Sequence, residues 1–244
     1  MDSRGAFIGS GKIYLADIAT PEKLIYIGNC SSLTYEAEPQ EITLPDYSTP
    51  GGGTDASINR IVAVNIAYTA HHFNKANIAR ALYATVTDKA AGTVEGEAHT
   101  AYKGALVKTA FPSPSTVVVK NQAGDTTYEL DTDYIVNEAG IEIVEGGNIA
   151  DAAAITIDYA YPPHADIQAL TASNKKFRMV FKGLNEARTG KPQIIEVYKI
   201  SHSPSSLGVI GDSFGEMPFS GKAEKDATKI GTGLSQYMQI QDVD

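Results

Sequence analysis

Apolar residues recur with a period of two along most of the chain. In "INRIVAVNIAY", residues 58–68, Val62, Val64, Ile66 and Tyr68 fall on one side and Ile61, Ala63, Asn65 and Ala67 on the other. Successive strand side chains point to opposite faces, so this alternation predicts a half-buried strand. "AITIDYAY", residues 154–161, sets Ile155, Ile157, Tyr159 and Tyr161 against Thr156, Asp158 and Ala160 in the same way. "KKFRMVFKG" places Phe177, Met179 and Phe181 opposite Arg178 and Lys182. "PQIIEVYKISHS" is apolar on both faces, which predicts a strand covered on both sides. "GKIYLAD" and "EKLIYIGN", joined by the turn-forming "IATPE", predict a hairpin, and "GEMPFSGKAEKD" and "SQYMQIQD" predict the last strands. Only "NKANIARALYA" has the helical period. Asn74 serves as N-cap and Ile78, Ala79, Leu82 and Tyr83 form one stripe, so this short helix packs on a sheet.

Between these regions the texture changes. Residues 86–115 are dominated by Ala, Gly, Thr, Ser and Pro up to "FPSPS" and predict a linker or an irregular edge. A compact strand series follows in "TVVVK", "TTYEL", "DYIVN", "GIEIV" and "AITIDYAY", with turns at "NEAG" and "EGGNIAD". The double proline of "YPPHAD" ends it, since neither residue can donate to a ladder. The predicted fold is mainly β: a β-sandwich or barrel of residues 1–85 and 170–244 with one flanking α-helix, split in sequence by a smaller β-rich module at 86–169.

Charge reinforces that division. Residues 86–169 hold 13 of the 29 acidic residues and 4 of the 20 basic ones, and so carry the whole net charge of −9. An acidic module does not attract nucleic acid, and no basic stripe with interleaved aromatics occurs elsewhere. The apolar fraction of 43% in 244 residues is that of a globular chain with an ample core. No apolar run approaches the length of a membrane span, and the N-terminus lacks the apolar core of a secretory leader. A single cysteine, Cys30, leaves no internal disulfide framework and fits folding in a reducing cytoplasm.

Candidate chemistry is sparse. "DYSTPGGGTDASINRI", residues 46–61, could cradle phosphate, turn a hairpin or form an arm that orders against a partner. A phosphate loop needs a lysine after its last glycine and then a helix; here Gly53 precedes Thr54, the acidic Asp55 and a strand. His71 and His72 are adjacent at a strand end and point apart, while His99, His164 and His202 lie in separate segments. Glu129, Asp131 and Asp133 would share one face if their strand were continuous, which raises a calcium site or a glycosidase carboxylate pair; a solvated acidic face is the preferred reading. No G-x-S-x-G elbow is present. The residues predict no enzyme, no catalytic group, no cofactor and no metal.

The order of features resembles the major tail tube protein of long-tailed, non-contractile (siphovirus-type) bacteriophages. The resemblance rests on "GKIYLAD", "YIGNCSSLTYEAEPQEI", the glycine-bearing "LPDYSTPGGGTDASINR", "IVAVNIAYTA", "FNKANIARALYA" and the closing "KKFRMVFKGLNEARTGKPQIIEVYKISHSPSSLG". It covers about residues 5–85 and 170–240, and the middle segment looks like a small β module of phage tail proteins that projects from the tube's exterior. It implies a virion protein made in the host cytoplasm, whose homohexameric rings stack into a hollow tube. The tape measure protein and tail terminator are its implied partners, and DNA passes through the lumen without sequence-specific binding. Lumen charge would come from acids such as Glu36, Glu38, Glu41 or Glu196. In this light the glycine stretch becomes an assembly arm, with Pro45, Asp46, Tyr47, Pro50, Gly51, Gly52, Gly53, Asp55, Asn59 and Arg60 as its interface residues. The alternatives are the tube of a contractile tail, pyocin or type VI secretion-like particle, or a β-rich decoration or carbohydrate-binding module. The absence of tryptophan weakens the last of these.

Overall fold

The computed structural model describes residues 6–172, 175–188 and 190–243. The reading of the N-terminus as leaderless rests partly on residues 1–5, and the closing stretch of the resemblance includes Thr189; these lie outside the described residues. The chain forms two compact units, residues 1–85 with 167–244, and residues 86–166. It is mainly β, and the described residues include one short α-helix.

The first unit is built on one antiparallel sheet. Its strands are β1 (Gly9–Asp17), β2 (Ile25–Tyr26), β3 (Cys30–Pro45), β4 (Thr54–Ala70), β13 (Lys176–Asn185), β14 (Lys191–His202), β15 (Met217–Ala223) and β16 (Met238–Asp242). The order is β2-β1-β13-β14-β15-β4-β3, and β16 pairs with the first half of β14 while β15 pairs with its end. Register aligns the apolar positions row by row. Leu15 faces Met179, which faces Val197; Phe177 faces Ile200, which faces Ala223. Val64, Ile66, Tyr68 and Ala70 continue the same surface on β4. The sheet curls around this core, so Tyr35 on β3 reaches across to donate to Met179 Sδ on β13 at 3.8 Å.

Helix α1 (Lys75–Ala81) covers the core. Asn74 caps it through an Oδ1 that accepts from Asn77 N at 2.9 Å. The predicted stripe of Ile78, Ala79, Leu82 and Tyr83 is only half-buried, and the innermost residues are Asn77 and Ala81. Asn77 turns inward because its amide donates to the carbonyls of Ile27 at 2.7 Å and His72 at 2.8 Å, tying the helix to the loop before β3 and the end of β4. Arg80 packs its guanidinium over the rings of Phe177 and Phe219 and donates to Asn77 Oδ1 at 2.8 Å. Beside it, buried His202 holds Nε2 3.0 Å from the Tyr68 hydroxyl.

The second unit begins where a linker or irregular edge was expected. Residues 86–115 instead carry most of β5 (Thr85–Lys89), then β6 (Gly92–Ala101) and β7 (Leu106–Lys108), followed by β8 (Ser115–Asn121). β9 (Tyr134–Asn137), β10 (Gly140–Ile143), β11 (Ala153–Tyr161) and β12 (His164–Gln168) complete it. Two three-stranded sheets, β7-β10-β9 and β6-β11-β8, enclose Val107, Val119, Ile141, Ile155 and Ile157, and β5 pairs with β12. β6 escaped the alternation test because two of its inward positions are polar: His99 and Glu97 stand opposite Ile155 and Ile157 of β11, and Glu97 accepts from the Tyr159 hydroxyl. "TTYEL" is a loop rather than a strand, with Asp131 at φ +65°. Glu129, Asp131 and Asp133 therefore share no strand face. Asp133 is buried and its two carboxylate oxygens accept from Glu129 N (2.9 Å), Asn148 N (2.7 Å) and Asn148 Nδ2 (2.9 Å), which hold it below its ordinary range and make it a loop staple.

The buried histidine makes stability depend on pH. Burial, and after it the Arg80 charge, lowers His202 to about 3. Between pH 6.5 and 3 the unfolded chain takes up a proton that the native state refuses, so stability falls with pH by about 1.4 kcal/mol per unit from this group. Denaturant unfolding of wild type and His202→Gln from pH 7 to pH 4 should show the variant, although less stable at neutral pH, losing that part of the slope.

Candidate assembly surface

β3 and β4 are the longest strands of the chain, at 16 and 17 residues, and they pair from Cys30–Ala70 at the root to Pro45–Thr54 at the tip. Only the root lies over the core: Leu33 and Tyr35 pack there opposite Tyr68 and Ile66. Beyond a bulge at Glu38/Pro39, every residue of both strands is exposed. The result is a two-stranded ribbon that extends past its own hydrophobic support.

Cross-strand partners share a face, so the register sorts the ribbon's residues. Gln40 pairs with Arg60, Ile42 with Ile58 and Leu44 with Ala56 on one face. Pro39 pairs with Ile61, Glu41 with Asn59 and Thr43 with Ser57 on the other. The first face thus carries an apolar stripe in open solvent, with Ile42 45%, Leu44 51% and Ile58 58% exposed. Covering these three side chains would contribute on the order of 1 kcal/mol each. Among the described residues no strand pairs with the outer edge of β3, which leaves a long row of backbone donors and acceptors for another chain.

The turn, residues 46–53, is built rather than slack. Asp46 Oδ1 accepts from Ser48 N at 2.7 Å, Ser48 Oγ at 2.6 Å and Thr49 N at 3.3 Å, which lowers this carboxyl to about 2. Asp46 N donates to Gly53 O at 2.8 Å and closes the loop. Gly51, Gly52 and Gly53 have φ of +106°, +70° and +153°, a left-handed run that side-chain-bearing residues resist. Tyr47 projects from the tip, 85% exposed.

The ten residues read from sequence as one interface loop are therefore not equivalent. Asp46, Tyr47, Pro50, Gly51, Gly52 and Gly53 lie in the turn, whereas Pro45 ends β3 and Asp55, Asn59 and Arg60 belong to β4. The expected hinged arm is a hairpin, because the period-two pattern of Ile42 and Leu44 continues in the polar Thr54–Arg60 segment and pairs with it. Ile42, Leu44 and Ile58 are the apolar surface that sequence reading missed, and "EITLP" held the signal. Nor does the glycine run open a helix, so the phosphate-loop geometry does not form there.

The register also sorts the acids named as sources of lumen charge. Glu36 and Glu38 lie on the sheet face away from the core, and Glu41 lies on the opposite ribbon face. Glu196 is neutralised by Arg178, whose Nε lies 2.8 Å from its Oε1. The open face carries bases as well: Lys12 stands directly opposite Lys182, and Lys222 stands beside Asn65, the partner of Glu36. This face has mixed charge. Among the described residues no group of three or more His, Cys, Asp or Glu side chains is placed to hold a metal ion, and no helix is long and apolar enough to cross a membrane.

Residues 6–241 match the family described as "Protein of unknown function UCP028589". Among curated proteins none matches the chain.

Thin cover over the ribbon sets its hydrogen-exchange behaviour in the free protein. Amides of residues 39–60 should exchange orders of magnitude faster than those of β13 and β14, which are paired on both sides over the core. Mass-spectrometric exchange on dilute protein measures this, and equal protection of the two regions would show that the ribbon is covered within its own chain.

Proposed function

We propose that this chain, a member of that family of unknown function, is a structural subunit that joins copies of itself into closed rings stacked as a hollow tube, the tail tube of a non-contractile bacteriophage. The observation that carries this reading is the β3–β4 ribbon, which presents an apolar face and a backbone edge that nothing among the described residues covers. A two-stranded ribbon in water is marginal alone and gains stability when a third layer packs on it. The ribbon and whatever it packs on are different surfaces, so the contact is heterologous and repeats from copy to copy; closure by rotation gives a ring. Sheet edges that meet between neighbours would then satisfy the donors and acceptors a lone subunit exposes.

The second unit has its own core and needs no support from such a wall. It carries the chain's net negative charge, while the tube-forming unit is close to neutral. The mixed charge of the open sheet face suits a passage that must not hold phosphates tightly, because no continuous basic track crosses it. The role is assembly and conduction, with no bond made or broken.

Shortening the ribbon tests this. Gln40 joined to Arg60 through Asn-Gly replaces residues 41–59 with a tight type I′ turn at a position where the strands already pair. The excised side chains are exposed except half-buried Asp46, which bonds only within the turn, so the variant should unfold within about 1 kcal/mol of wild type by denaturant titration. Light scattering should show wild type growing into large particles and the variant remaining a subunit. Unchanged particle growth in the variant would remove the ribbon from assembly.

A further inference from the structure

Three half-buried cations of the first unit are met by acids: Arg178 lies against Glu196 and Glu22, and Lys176 and Lys199 share Glu224. Arg80, also half-buried, is not. Its guanidinium carbon lies 5.2 Å from the ring centroid of Phe177 and 5.9 Å from that of Phe219, and Nη1 donates to Asn77 Oδ1 at 2.8 Å. No acid among the described residues pairs with it, and its Nε is enclosed without a hydrogen-bond partner. Residues 173–174, the undescribed stretch shortly before Phe177, are Ser and Asn and hold no acid. Aromatic faces and an amide oxygen offer partial charges to a full one. Burial, against the neighbouring Tyr68, accordingly pulls Arg80 below its ordinary pKa range.

Arg80 also lines a pocket of about 250 Å³ set among α1, the end of β1, β2 and the start of β13. Leu15, Ile25, Ile27 and Phe177 give the pocket apolar walls. Its charged residues are two cations, Arg80 and Lys23, and one acid, Asp17. Asp17 is engaged in its own turn, where Oδ1 accepts from Ala19 N at 2.9 Å. The wall therefore carries one positive charge in excess beside apolar surface. Partly buried charges are weakly screened by salt and solvent, so an anion held in the pocket compensates Arg80 without having to reach Nε.

We propose that this pocket binds a monoanionic carboxylate carried on a small apolar group, with Arg80 and Lys23 balancing its charge. A single excess positive charge suits a monoanion, whereas a phosphate dianion would overbalance it and leave the apolar walls without a partner. Apolar walls with a few polar groups among them are the usual composition of a small-ligand site. Free small molecules and acidic side chains of another copy both offer such a carboxylate. The site is independent of the assembly ribbon, since no residue of β3 or β4 lines it.

Benzoate is the probe, and benzamide, its uncharged counterpart of nearly the same shape, is the control. Saturation-transfer difference NMR on the full-length protein reads weak binding to single chains and to large particles alike. Benzoate should bind saturably and benzamide roughly tenfold more weakly. Lys23→Gln, at an exposed position, should keep the wild-type unfolding midpoint and weaken benzoate several-fold. Arg80→Gln should abolish the saturable signal; if that variant does not fold, Lys23→Gln alone decides. Light scattering at saturating benzoate, with benzamide as control, distinguishes the sources. Particle growth suppressed by benzoate assigns the natural carboxylate to another copy, and growth that is unchanged or absent assigns it to a free molecule. Equal binding of benzamide, no saturable benzoate signal, or an affinity unaltered by Lys23→Gln would overturn the proposal.

Discussion

The β3–β4 ladder is the interaction on which the rest of the molecule depends. Its root supplies Tyr35, Val64, Ile66 and Tyr68 to the core, and its continuation carries the same backbone pairing into solvent. Backbone hydrogen bonds alone contribute little net stability, because the unfolded chain makes comparable bonds to water. A ribbon whose apolar face meets only solvent therefore holds its conformation against a small margin. Its shape is kept by the register fixed at the root and by the Asp46-centred turn at the tip.

The same arrangement leaves unmet demands at the other sheet boundaries. β1 is paired along β13 but nearly bare on its far side, and β16 covers only half of β14. Within the unit, α1 seals one face through Asn77 and Arg80, and at the end of β13 buried Asn185 accepts from Ile8 N and donates to Ala6 O. Exposed apolar groups include Ile42, Leu44 and Ile58 of the ribbon, and others stand at Ile8, Leu170, Ile210, Phe214 and Ile230.

Much of the fold was legible because burial follows the period of the strand. Val64, Ile66 and Tyr68 are buried as their alternation predicts, and so are Ile155, Ile157 and Tyr159. Legibility failed where the neighbour, rather than the residue itself, set the requirement. β6 sets polar His99 and Glu97 opposite Ile155 and Ile157, where Glu97 meets the Tyr159 hydroxyl, and Asn77 is drawn inside by two carbonyls that no helical-stripe argument can see. "TTYEL" looked like a strand until the donors that converge on the Asp133 carboxylate bent it into a loop. At the candidate surface, the glycine run was legible as a place of unusual dihedrals, but the pairing that turns its flanks into a hairpin depends on long-range register. Residues 208–215 carried no periodic signal, and the exposure of Val209, Ile210 and Phe214 is visible only in three dimensions.

The most direct measurement is electron cryomicroscopy of the full-length protein at high concentration. The account predicts rings or tubes with a central channel, in which the apolar face of each β3–β4 ribbon lies against an adjoining subunit. Monodisperse single chains at every concentration, or particles in which Ile42, Leu44 and Ile58 still face solvent, would contradict it.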